Sequence, residues 1–174
     1  MAKKSSKNNT LKLVVGAVEF ILAVVALILL IATPAVTYTM SSGLLGTKST
    51  YSVAGTAAIF GSKDPEYALT WAGLLSFIFV ACALVILLLL CVMTLTKKKF
   101  ALAGICRFVA AGLLIVAGVF VFFEVAAFKA ANGDGSFSWG NLANATYALG
   151  AGWLVSGILA IVAGGLSCAE EFLF

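Results

Sequence analysis

The chain has 174 residues, of which 63% are hydrophobic and only 10% charged, with a formal net charge of +4 and a mean hydropathy of +1.14. A water-soluble fold of this size cannot carry that composition on its surface, so the chain reads as an integral membrane protein. It has no histidine, which excludes imidazole acid–base catalysis and histidine metal ligation.

Four apolar runs, residues 12–33, 68–95, 100–128 and 146–167, predict four helices in a single membrane domain, residues 1–174. Each run reaches the roughly 20 residues needed to cross a hydrocarbon core of about 30 Å. The first follows Lys3, Lys4 and Lys7. Its apolar core of about 20 residues exceeds the 7–15 of a cleaved secretory signal, so it is read as a retained helix. With Lys12 and Lys97–Lys99 also beside the runs, the lysines orient both termini toward the cytoplasm and need no nucleic acid to explain them. The chain is accordingly placed in the plasma membrane as a multi-pass protein. The short connector Thr96–Lys99 makes the second and third helices an antiparallel hairpin.

The first outer loop, residues 34–67, carries AVTYTM (Ala35–Met40) and STYSVAGTAAIF (Ser49–Phe60) around the turn material of Gly43–Gly46. Threonine, valine and tyrosine in partial alternation predict a small antiparallel β-sheet. Two strands alone are marginal in water, so the sheet is expected to pack on helix ends, on the second outer loop, or on another copy. The second outer loop, residues 129–145, holds the turn Asn132–Ser136 followed by Phe137 and Trp139. These aromatics, with Trp71, are expected at the headgroup level.

Glu19 and Arg107 are the most informative charged residues, lying deep within the runs, where an ionised side chain is costly and normally buried against a partner. At about 10 and 12 Å from the cytoplasmic end their depths match, which predicts an intramembrane ion pair between the first and third helices. The plain reading is a pair that locks the bundle; a place in an ion pathway and snorkelling to the interface are the alternatives. Glu124, near the outer end of the third helix, is a candidate outer-mouth charge, although a lone carboxylate lacks the ligand set of a metal site.

Cys82, Cys91, Cys106 and Cys168 all lie outside the outer loops, with no thiolate metal spacing. Buried cysteine acting as a small hydrophobe is the default, while Cys168, just past the fourth run, is placed where a free thiol can be acylated. Ser156, Ala160 and Gly164 follow one another at four-residue spacing and predict close helix packing, within the chain or between chains.

KKKFALAGICRFVAAGLLIVAG (Lys97–Gly118) resembles the third helix, and YALGAGWLVSGILAIVAGGLSC (Tyr147–Cys168) the fourth helix, of the claudin and peripheral-myelin-protein tetraspan superfamily. The resemblance implies a four-helix bundle with cytoplasmic termini and a β-sheet from the first outer loop. The superfamily's first-loop signature, a Trp followed by Gly-Leu-Trp and two cysteines, is absent; its nearest counterpart is SGLLG (Ser42–Gly46). A claudin-like sheet would here be held by packing alone. Family charge selectivity does not transfer either, because Lys48, Lys63, Asp64 and Glu66 balance.

The function expected is non-enzymatic: a structural or accessory membrane protein that self-associates, or binds another membrane protein, through its outer sheet and small-residue helix faces, with a role in adhesion implied by the resemblance. The alternative is an oligomeric pore or transport component, or less directly a holin-like permeabilising protein. No catalytic constellation, cofactor motif, metal-ligand set or small-molecule substrate follows from the sequence; the expected partners are the lipid bilayer and a second membrane protein chain.

Overall fold

The computed structural model describes residues 2–42, 48–96, 102–133 and 143–173. In chain order its elements are α1 (Ala2–Ala32), β1 (Pro34–Ser42), β2 (Lys48–Ala54), α2 (Gly55–Phe60), β3 (Ser62–Lys63), β4 (Glu66–Tyr67), α3 (Trp71–Leu95), α4 (Ala103–Phe122), α5 (Glu124–Asn132), β5 (Ala143–Leu149) and α6 (Ala151–Leu173). The Gly43–Gly46 turn, the Lys97–Lys99 connector, and Phe137 with Trp139 lie outside the described residues.

Four segments are long and apolar enough to cross a membrane: Leu11–Ala32, Trp71–Leu95, Ala103–Phe122 and Ala151–Glu170. The chain is a multi-pass membrane protein with four long apolar helices and a small antiparallel sheet. Around the bundle α1 packs on α3 and α6, and α4 packs on the same two helices. The first and third spans are therefore diagonal to each other. The seam between α4 and α6 is tight because Gly118 lies on it: a Cβ there would stand 2.6 Å from the Gly157 carbonyl oxygen. Ser156, Ala160 and Gly164 are all buried, and Ser156 Oγ donates to the Ala26 carbonyl at 2.8 Å. The small-residue face of the fourth helix is thus occupied inside the chain, by α1 and α4.

The sheet has three strands in the order β2-β1-β5, with β1 central and both neighbours antiparallel to it. The third strand comes from the second loop. Tyr38 stands opposite Tyr51 on one side and Tyr147 on the other, so all three rings share one face. At the base of the sheet Gly55 N donates to Thr33 O at 3.0 Å and Gly150 N to Ala35 O at 2.8 Å. Gly150 is required there, since a Cβ would fall 1.8 Å from the Pro34 carbonyl oxygen.

Five boundaries differ from the sequence expectation. α1 starts at Ala2 and not at residue 12, its apolar span beginning at Leu11. Gly55–Phe60 is the helix α2 rather than the end of a strand, since Ala57, Ala58 and Ile59 turn one side into the core. Residues 100–128 are two helices: Phe123 closes α4 with a bond from its N–H to Phe120 O at 3.0 Å, and α5 restarts at Glu124. Thr146–Leu149 belongs to strand β5, where alternating Thr146, Tyr147, Ala148 and Leu149 pair with β1. The fourth helix then runs past Ser167 to Leu173, because nothing between Cys168 and Leu173 breaks it and Ala, Glu and Leu favour helix.

Candidate functional site

Three charged residues, Glu19, Arg107 and Glu170, converge at the end of the bundle away from the sheet. Arg107 on α4 forms an ion pair with Glu170 on α6, Nη1 to Oε1 at 2.5 Å, and not the expected pair with Glu19. The reason is geometric: α4 neighbours α6 and lies diagonal to α1, so matching depth does not bring Glu19 and Arg107 into contact. Glu19 is instead buried beside Glu170 and Ser167, within the field of Arg107, and Lys12 acts on Glu170. Glu19, Ser167 and Glu170 are each 0–1% exposed. Two carboxylates and two cations from α1, α4 and α6 are thus grouped in a low-dielectric setting, where an isolated charge is most costly. The cavity beside them, lined by Lys12, Gly16, Glu19, Leu87 and Arg107 among others, measures about 10 Å³. That is room for one water molecule, far short of a passage.

Glu170 escaped the sequence reading, yet a signal for it exists. Trp153, Ser156, Ala160, Ala163, Ser167 and Glu170 are all buried on α6, at spacings of three and four that continue the small-residue stripe by one more step. Cys168 sits on the same extended helix, half-buried, instead of past its end.

Glu124 is no mouth residue. It is completely buried, and the Thr70 hydroxyl lies 2.8 and 3.0 Å from its two carboxylate oxygens. Thr70 is the N-cap of α3, where its side chain accepts from Gly73 N. A carboxylate against the first turn of a helix complements the orphan N–H groups there. Burial nevertheless dominates and pushes the Glu124 carboxyl up to about 7, against the opposing bonds from Thr70 and Gly73. The break at Phe123 is what turns Glu124 inward.

The opposite end carries an aromatic cluster that the sequence reading did not assemble. Tyr38 stacks on Tyr51 with ring centroids 5.3 Å apart and lies 5.7 Å from Tyr147. Phe128 on α5 lies 6.3 Å from Tyr147 and 5.7 Å from Tyr67, and the Tyr67 and Tyr38 hydroxyls meet at 3.0 Å. Burial, with that hydroxyl contact, pushes Tyr38 up to about 12. Lys129 holds its ammonium 4.9 Å from the Tyr147 ring centroid. Period-two spacing of Tyr147 with Leu149 was the available signal, hidden because residues 146–149 read as the start of a helix.

The sheet also has a free edge at β2. Lys48 to Ser52 are exposed along it, and only Val53 is buried. Among the described residues no strand pairs with the free side of β2 or of β5. No protein-family model matches this chain, and no curated protein sequence matches it.

Proposed function

We propose that this is a non-enzymatic structural membrane protein of claudin-like layout, which associates with a second copy of itself through the free edge of β2. In this reading both termini are cytoplasmic, the sheet stands outside the plasma membrane, and the role is structural or adhesive. One observation carries it: β2 is an edge strand with five consecutive exposed residues, and the outward N–H and C=O groups of alternate residues have no strand partner among the described residues; such an edge is a template for another strand. The small-residue helix face is already filled within the chain, which leaves the sheet as the associating surface.

β1 leaves the bundle at Pro34 and β2 returns to it at Ala54, so a copy in the same bilayer meets β2 in parallel and a copy in an opposed bilayer meets it antiparallel. Single cysteines placed in turn at Ser49, Thr50, Tyr51 and Ser52, oxidised in native membranes, read the difference. Antiparallel pairing crosslinks one central position to itself and leaves its neighbours uncoupled; parallel pairing of this edge with itself is offset by one residue, so it crosslinks a mixture of two neighbouring single-cysteine chains and neither chain alone. Self-association is refuted if no position crosslinks and single-molecule photobleaching finds monomers.

A further inference from the structure

Tyr38, Tyr147, Phe128 and Tyr67 close a circuit, ring to ring through three contacts and hydroxyl to hydroxyl in the fourth. They line a cleft that is open to solvent. It measures about 170 Å³, and Met40, Glu66 and Asn132 line it together with these rings. That is room for about ten water molecules, at roughly 10–15 Å³ each by the same measure.

The chemistry on offer inside is narrow. The Tyr38 and Tyr67 hydroxyls are bonded to each other. Asn132 spends its amide on the chain itself: Oδ1 accepts from Ala68 N at 2.7 Å, and Nδ2 donates to Ala68 O at 3.2 Å and to Phe128 O at 3.3 Å. Beyond these the cleft presents aromatic surface, the Tyr147 hydroxyl and the Glu66 carboxylate, which is exposed and forms no ion pair among the described residues. A sugar would find few hydrogen-bonding groups. A cation with an apolar coat finds ring faces that attract it and a carboxylate at the rim. The chain supplies its own demonstration, since the Lys129 ammonium already sits over Tyr147.

We propose that this cleft is a binding site for an organic ammonium group, with Tyr38, Tyr67, Phe128 and Tyr147 as its walls, Glu66 as its counter-charge and Lys129 as a built-in competitor for the Tyr147 face. Such a group comes either from a choline-type lipid headgroup or from a soluble quaternary amine. The site is independent of the β2 edge, which lies across the sheet from β5.

The full chain in phosphatidylglycerol nanodiscs is titrated with tetramethylammonium chloride at constant ionic strength, with binding read by saturation-transfer NMR. Glu66→Gln is expected to weaken binding about threefold, the scale of a solvent-exposed charge pair. Lys129→Gln is expected to tighten it about threefold, by releasing a ring and removing a like charge. Both residues are exposed, so folding is unaffected. Tyr147→Leu weakens binding about tenfold while Tyr147→Phe, which keeps the ring, retains it. If a lipid headgroup is the source, adding phosphatidylcholine suppresses the titration by competition relative to nanodiscs of the same phosphatidylglycerol content with uncharged diacylglycerol in its place; if a soluble amine, the two nanodiscs give the same curve. No binding to wild type and Lys129→Gln, or equal binding by wild type, Glu66→Gln and Lys129→Gln, overturns the assignment.

Discussion

Replacing Glu124 by Gln separates the role of its charge from the role of its shape. The side chain is fully buried, and its pKa is raised from 4.5 to about 7 mainly by burial. Below about pH 4.5 the carboxyl is protonated in folded and unfolded chains alike, and its stabilising contribution is complete. Between 4.5 and 7 the unfolded chain loses the proton first, so stability falls as pH rises; above 7 both states are ionised and the loss levels off. A difference of about 2.5 pH units, at about 1.36 kcal/mol per unit, makes the loss on the order of 3 kcal/mol. For a chain of this size that is a drop of roughly 6–12 °C in Tm. Gln keeps an acceptor for the Thr70 hydroxyl and cannot ionise. Thermal unfolding of both proteins in one mild detergent, followed by circular dichroism from pH 4 to 8, should give curves that converge at acid pH and diverge through 7, with Glu124→Gln the more stable. Other buried carboxylates titrate in both proteins and cancel in the difference. Parallel pH profiles would refute the burial argument.

Two further perturbations test the bundle. Arg107→Leu leaves Glu170 buried without its ion-pair partner and should cost about 3–5 kcal/mol, whereas the double replacement Arg107→Leu with Glu170→Leu should recover most of it; equal loss in single and double variants, in denaturant titrations, would show that the pair does not lock α4 to α6. Gly118→Ala forces a methyl against the Gly157 carbonyl and should lower Tm, while Gly165→Ala, where a Cβ meets nothing within 4 Å, should leave it unchanged or raise it by the helix preference of alanine, about 1 kcal/mol.

The number of spans and the presence of a sheet were legible because each rests on a local signal: apolar length for the helices, alternating Thr, Tyr and Val for Ala35–Met40. What the sequence hid was decided by contacts far apart in the chain. Tyr147 and Leu149 fit a helix start or a strand equally well until β1 is placed beside them. Depth counting gave Glu19 and Arg107 comparable heights but said nothing of the order of helices around the bundle, and that order assigns Arg107 to Glu170. Hydropathy ended the fourth helix at Ser167, since Glu170 and Glu171 depress it; the buried spacing on α6 continues through Glu170 regardless. Glu124 was misplaced for a related reason, because a continuous helix through Phe123 would have left it at the rim.

These long-range contacts also explain how a sheet without a disulfide is held to the bundle. A disulfide contributes about 2–4 kcal/mol, chiefly by restricting the unfolded chain. Here the anchorage is spread over the neck of the molecule: Trp153, fully buried, donates from Nε1 to Leu30 O at 3.0 Å, Gly55 and Gly150 bond to Thr33 and Ala35, and Thr70 N bonds to Ala58 O at 2.8 Å. At about 1 kcal/mol net for each such bond, with the burial of an indole added, the neck matches what a disulfide would contribute. The two differ in what they hold. A disulfide links two points of one loop, whereas these bonds tie β1, α2 and the strand entering α6 to the ends of α1 and α3, so the sheet moves with the helices. A strand docking on β2 would therefore bear on the whole bundle, and the glycines that permit the close approach, Gly55 and Gly150, are the residues on which that coupling depends.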